Sequence, residues 1–165
     1  VAVAILSKLG YSVTAVTGRM AEKEYLENLG ASDVIERQGF AEKARPLYKE
    51  LWAGAIDVAG GNTLANVISQ MKYGSAIAAC GLAESMDLPT SVAPFILRGI
   101  TLYGVDSVMV SIAKRQQAWN RLEQDLDFDL LEGLSFDLDF NDLPQAASEI
   151  LEGKIRGRAI VKIPA

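Results

Sequence analysis

Short apolar runs alternate with charged, amphipathic stretches along most of this chain, and a glycine closes many of the runs. Val1 to Leu9 is rich in Ala and stops at Gly10, the pattern of a helix tail with a glycine just past its end. Ser12 to Thr17 (SVTAVT) is β-branched and apolar, which predicts a buried strand. A charged helix is predicted from Ala21 to Leu29, capped by Gly30, and a short strand over Asp33 to Glu36. Phe40 to Leu51 has helical spacing, bent or interrupted by Pro46. Ala55 to Ala59 reads as a strand that ends in Gly60 and Gly61. A helix from Asn62 to Met71 follows, then a strand over Ser75 to Cys80 that ends in Gly81.

The second half starts in the same rhythm. Ile100 to Val105 (ITLYGV) is a further predicted strand. Ile112 to Leu126 is a long amphipathic helix with Ile112, Trp119 and Leu122 among its apolar positions. Asp127 to Phe140 then mixes Asp with Phe and Leu and fits no helix. Leu143 to Leu151 is helical again, and Ala159 to Ile163 is a last strand ended by Pro164.

Short apolar strands alternating with amphipathic helices predict an α/β fold with a parallel sheet covered on both faces. The expected form is a Rossmann-type doubly wound sheet. Val1 to Leu9 resembles the helix that follows a GxGxxG loop, whose amide groups would cradle phosphates. That loop and the first strand of the 3-2-1-4-5-6 order would precede Val1, which is not a Met. Residues 1–126 are expected to form the nucleotide-binding unit, and 127–165 a return segment toward another domain.

Composition narrows the chemistry. With 165 residues and 50% hydrophobic residues, the chain can bury a core. Mean hydropathy is +0.16, and no apolar run approaches the ~18 residues that span a bilayer. A net charge of −5 argues against a nucleic-acid binder, which needs a basic face. One cysteine, Cys80, allows no internal disulfide, so a cytoplasmic setting is expected. Histidine is absent. Ser-His-Asp and Cys-His catalysis are therefore excluded within this chain, as are histidine zinc sites.

In open parallel sheets, ligands bind beyond the carboxyl ends of the strands. The strands here end in Thr17-Gly18-Arg19, Ala59-Gly60-Gly61, Cys80-Gly81 and Asp106-Ser107. Glycines end strands in any α/β protein, but a set of them on one sheet edge also lets a flat ligand approach the backbone. An NAD site commonly places Asp or Glu at the end of the second strand, to accept from the ribose hydroxyls. This chain has Thr17-Gly18-Arg19. A guanidinium binds a 2′-phosphate that a carboxylate would repel, so NADP is favoured over NAD. The competing reading is an ordinary solvated arginine.

The acidic stretch only partly matches a calcium loop. Asp125, Asp127 and Asp129 have the 1-3-5 spacing, but Leu130 and Phe136 stand where Gly and Glu are needed. In the run from Asp137 through Asp139 and Asn141, Asp142 and Ser148 fail in the same places. No metal site is expected, and a solvated acidic loop is the better reading.

The stretches AVTGR, YLENLGAS, WAGAIDVAGG, MKYGSAIAACGLA, LPTSVAPFILRGITLYGVDSV and GKIRGRAIVKI resemble the YhdH/AcuI branch of the medium-chain dehydrogenase/reductase superfamily. The resemblance covers nearly the whole chain, and Pro94 to Val108 followed by Trp119 is its most specific part. It implies a zinc-free, NADPH-dependent reductase of acryloyl-CoA, or on the same scaffold of quinones or enones. It also implies a GroES-like catalytic domain that would precede this one and receive the return segment. Carried over, Thr17, Gly18 and Arg19 would hold the adenosine 2′-phosphate. Cys80, Gly81 and Leu82 would line the cofactor cleft, and Val105, Asp106 and Ser107 would lie near the nicotinamide. Arg158 resembles an arginine that contacts cofactor or substrate. No residue of this chain is assigned a catalytic role. A homodimer through the edge strand at Thr101 to Gly104 is expected. A nucleotide-binding or dimerising fragment with no activity alone is the competing reading.

Overall fold

The computed structural model describes residues 1–164. Its first unit is a βα pair. Helix α1 (Ala2–Lys8) leads into strand β1 (Thr14–Thr17), helix α2 (Lys23–Asn28) and strand β2 (Asp33–Glu36). β1 and β2 pair in parallel, with Thr14 opposite Asp33 and Thr17 opposite Glu36. Ala15, Ala31 and Val34 are buried between them, and Val3 and Leu26 from the two helices pack on that cluster.

The second unit holds the main core. Strands β3 (Trp52–Asp57), β4 (Met71–Ala79) and β5 (Thr101–Gly104) form a parallel sheet in the order β3-β4-β5. Helix α3 (Gly61–Ser69) makes the first crossover and α4 (Ala93–Arg98) the second. Leu64 and Ile68 of α3 meet Met71, Ile77 and Ile100 in a buried cluster, with Trp52, Phe95 and Leu102 at its margin. Alternation along the strands turns Ala55, Asp57, Ser75 and Ile77 toward α3. It turns Ile56, Val58 and Tyr103 to the opposite face, where they are exposed. Among the described residues, no ladder joins β1 to β3.

The expected elements are mostly present, with physical shifts. The helical spacing of Phe40 to Leu51 does not become a helix. A 3-10 turn spans Arg37–Phe40, and the chain beyond it runs irregularly to β3. Pro46 lacks a donor, and the amides of Tyr48 and Leu51 bond instead to the carbonyls of Ser69 and Gln70, both at 2.8 Å. β4 starts at Met71, not Ser75, because its amino end pairs with Trp52 across a register shift. The helix predicted at Ile112 to Leu126 forms as α5 (Ile112–Asp125), but none of its residues is buried and Trp119 is exposed. The stretch Asp127 to Phe140, read as fitting no helix, contains α6 (Phe128–Glu132) and β6 (Ser135–Leu138). The Asp127 carboxylate accepts the Asp129 amide at 3.0 Å, so an acid expected in a solvated loop serves as a helix cap. Helix α7 (Leu143–Leu151) and strand β7 (Arg158–Val161) follow, with β6 and β7 paired in parallel.

One side chain fastens the amino edge of the main sheet. Arg98 is mostly buried and donates to the carbonyls of Ser69 at 2.8 Å, Met71 at 3.0 Å and also Tyr48. Glu50 pairs with it at 3.6 Å. Ser69 ends α3, so the guanidinium satisfies a helix-end carbonyl and offsets the negative end of the dipole. Replacing Arg98 by Met keeps the stem and removes the donors. We expect a loss of about 2–3 kcal/mol, read as a lower urea midpoint with an unchanged slope.

Candidate functional site

Because all three strands of the main sheet are parallel, their carboxyl ends share one edge. Asp57, Ala79 and Gly104 stand side by side in register there. The loops after β3 and β4 are joined by backbone bonds. Cys80 N–H donates to the Asp57 carbonyl at 2.8 Å, Ala83 N–H to Val58 at 3.1 Å and Glu84 N–H to Ala59 at 2.8 Å. Gly61 N–H reaches the Asp87 carbonyl at 3.0 Å. This leaves no room for a side chain at Gly81, where a Cβ would lie 2.6 Å from the Val58 oxygen. Buried Asp57 accepts from the Gly60 amide at 2.9 Å and fixes the start of the turn into α3.

Glu84 completes this double loop. Its carboxylate accepts from the Asn62 amide at 2.9 Å, the Thr63 amide at 3.3 Å and the Thr63 hydroxyl. The Thr63 hydroxyl bond is the largest cause holding the Glu84 carboxyl below its ordinary value; the backbone donors and the charge of Arg37 act in the same direction. The carboxylate thus sits on the free amides of α3, where negative charge is favoured.

The expected cleft residues Cys80, Gly81 and Leu82 lie on this platform. Cys80 is exposed, and its thiol donates to the Asp57 carbonyl at 3.3 Å. Val105 N–H continues the sheet to the Ala79 carbonyl at 2.9 Å, so Val105 to Ser107 leave from the same edge beside Cys80. Asp106 is turned onto its own loop. Its Oδ1 accepts from Met109 and Val108, both at 2.9 Å, and these bonds hold its carboxyl below the ordinary range.

Thr17, Gly18 and Arg19 lie at the carboxyl end of β1, in the other sheet. Thr17 Oγ1 accepts the Arg19 amide at 3.1 Å and shapes the turn around Gly18. The Arg19 guanidinium donates to the Gly153 carbonyl, between α7 and β7. A second cation, not anticipated from the sequence, stands beside Gly18. A Cβ on Gly18 would lie 3.0 Å from Nη2 of Arg37. Among the described residues, Arg37 makes no hydrogen bond or ion pair. The signal was legible. Arg37 directly follows the strand Asp33 to Glu36, which neighbours Ser12 to Thr17 in the expected strand order.

Arg158 opens β7, apart from the platform. Its amide donates to the Leu134 carbonyl at 2.8 Å. The charge of Arg158 acts at Val1. Arg158 therefore lies near the start of α1. Among the described residues, no group of His, Cys, Asp and Glu could hold a metal ion. No helix there is long and apolar enough to cross a membrane.

Comparison with known proteins gives this arrangement a family. The model of the zinc-binding dehydrogenase family matches residues 1–124. The protein described as probable acrylyl-CoA reductase AcuI of Escherichia coli (strain K12) is 50% identical over 98% of this chain and 50% of its own length. Acrylyl-CoA reductase AcuI of Ruegeria pomeroyi is 47% identical over 100% of this chain and 50% of its own length. The crystal structure of the yhdH oxidoreductase from Salmonella enterica in complex with NADP superposes with a TM-score of 0.95 at 49% identity. That match covers 99% of this chain and 50% of that one. The chain thus spans about half the length of the curated relatives it matches.

Glu84 makes the platform sensitive to acid in a defined direction. Its carboxyl is held low in the folded chain, so its contribution is complete above about pH 4.3, the value of a free glutamate. It is lost as pH falls through the lower folded value. Glu84→Gln is expected to flatten the acid limb of stability below about pH 4.3. Thermal unfolding of both proteins between neutral and acid pH measures this.

Proposed function

The chain belongs to the zinc-binding dehydrogenase family, and from that premise we propose that it is the cofactor-binding part of an NADPH-dependent oxidoreductase. The observation that carries the proposal is the turn after β1. Arg37 flanks Gly18 with no hydrogen bond or ion pair among the described residues, Arg19 follows that glycine, and the strand ends in Thr17 where an NAD site would place a carboxylate. Two guanidinium groups around a glycine suit a 2′-phosphate, which takes charge-assisted, bidentate bonds.

Cys80, Gly81 and Leu82, with Val105 to Ser107, form an exposed shelf on the shared edge of the main sheet. We assign this shelf to the nicotinamide half of the cofactor. The rigid double loop would orient it, and the close-packed backbone at Gly81 would exclude water beneath it. When bound, NADPH supplies the hydride; the protein supplies position and field. Arg158, near the start of α1, is assigned to the cofactor phosphates or the substrate.

The proposed substrate is an α,β-unsaturated acyl-CoA, reduced at its C=C bond, because the AcuI relatives are named for acrylyl-CoA. A quinone or enone is the alternative within the same chemistry. From its resemblance to the YhdH/AcuI branch, we read it as a zinc-free member. Residues 1–126 form the nucleotide-binding unit in this proposal, and 127–165 the return to a catalytic domain. One edge of β5 pairs with β4 and the other has no described partner, which supports a homodimer through Thr101–Gly104. The setting proposed is cytoplasmic, with neither membrane nor nucleic acid as partner.

Fluorescence titration of the full-length protein tests the cofactor assignment. Arg37→Ala and Arg19→Ala should each weaken NADPH about tenfold, in line with a lost charge-assisted bond, while NADH changes little. Equal losses for both cofactors would remove the 2′-phosphate assignment. Steady-state assays with acryloyl-CoA and simple quinones separate the substrates, and a higher kcat/KM for quinones would make the quinone the preferred substrate class.

A further inference from the structure

Arg19 shares its turn with a carboxylate. The backbone N–H of Glu22 donates to the Arg19 carbonyl at 2.9 Å, closing the 3-10 turn that Arg19 caps. A free negative charge there would oppose a phosphate dianion held by Arg19. Within a Debye length, about 8–10 Å, such repulsion is reduced but not abolished by water and salt.

Glu22 is not left free. Nη1 of Arg156, 134 residues further along, pairs with its Oε2 at 2.8 Å. The Arg156 guanidinium also lies 4.6 Å above the ring of Tyr25, on α2. The Glu22 side chain is 21% exposed, whereas that of Arg156 is 55% exposed, so the carboxylate is the more withdrawn partner. The neighbouring Gly153 carbonyl takes the Arg19 guanidinium. The segment from Gly153 to Gly157 thus touches the 2′-phosphate turn at both its cation and its anion. It is itself fixed at the start of β6, because the Arg158 amide donates to the Leu134 carbonyl and the approach there leaves no room for a side chain at Gly157.

We propose that Arg156 is a positioning residue for cofactor discrimination: by pairing with Glu22 it removes a negative charge from the turn that presents Arg19. The inference rests on the reading of Arg19 as a 2′-phosphate ligand and extends that site to the far end of the chain. Arg156 acts through Glu22 and does not touch the cofactor. Its effect falls on NADPH, which carries the extra phosphate, and spares NADH, which does not.

Dissociation constants for NADPH and NADH, measured by fluorescence titration on the full-length protein, provide the test. Arg156→Ala should lower the preference for NADPH about three- to fivefold at low salt and less at high salt, as a screened charge effect requires. Glu22→Gln combined with Arg156→Ala should restore most of that preference, since no charge is left to neutralise. Arg156→Lys should keep it, and guards against a fold defect in the alanine variant. Equal weakening of both cofactors by Arg156→Ala, an unchanged ratio, or no recovery in the double variant each overturns the proposal. Arg19→Ala, titrated alongside, separates the levels. An unchanged ratio there sinks the 2′-phosphate reading itself. A collapsed ratio there, with Arg156→Ala inert, sinks this inference alone.

Discussion

The parallel ladder of β3, β4 and β5 is the constraint from which the rest follows. A parallel strand cannot turn back on itself, so each crossover must carry the chain from the carboxyl edge to the amino edge. The amino edge therefore collects helix ends, whose carbonyls need donors. The carboxyl edge collects strand ends, whose loops are free to meet a ligand. Arg98 answers the first need by donating to Ser69, Met71 and Tyr48. The second produces the double loop in which Val58 and Ala59 carry the segment from Ala83 to Ser85 as a short extension of the sheet.

That extension explains why the shelf is stiff without being deeply buried. Its backbone groups are paired across loops, and its carboxylates are spent inward: Asp57 on the Gly60 amide, Glu84 on α3, Asp106 on its own turn. Each uses negative charge to satisfy local amides, leaving none of these three to act as a free acid or base. Chemistry at such an edge has to come from a bound group, and the protein's part is orientation.

The order of elements was legible because strands and crossover helices carry different periods of hydrophobicity, and because glycines mark the strand ends. Thr17-Gly18-Arg19 was legible for the same reason, since a strand end in a parallel sheet is a known place. Three things were not. The stretch from Phe40 to Leu51 has helical spacing, yet its amides are claimed by the end of α3, a tertiary bond that no local pattern announces. The acids near Asp127 looked like solvated loop, although one of them caps a short helix. Arg156 gains meaning only from what it stands beside, the carboxylate of Glu22.

The separation of Arg156 from Arg19 in sequence follows from the charge of the chain as a whole. With a net charge of −5, the average field of this protein repels a polyanionic cofactor. Beyond a Debye length of about 8–10 Å that average is screened, so selectivity is decided by the few charges inside that radius. Helix starts favour acids, and Glu22 and Glu24 sit where α2 begins. The feature that stabilises α2 therefore places negative charge beside the turn proposed to hold the 2′-phosphate. A cation on α2 itself could cancel it only by opposing the dipole. A cation brought from the return segment, seated on Tyr25, cancels it without that conflict. On the proposed reading, Arg156 also belongs to the segment that leads away from the nucleotide-binding unit, so the turn's charge balance depends on that segment being docked.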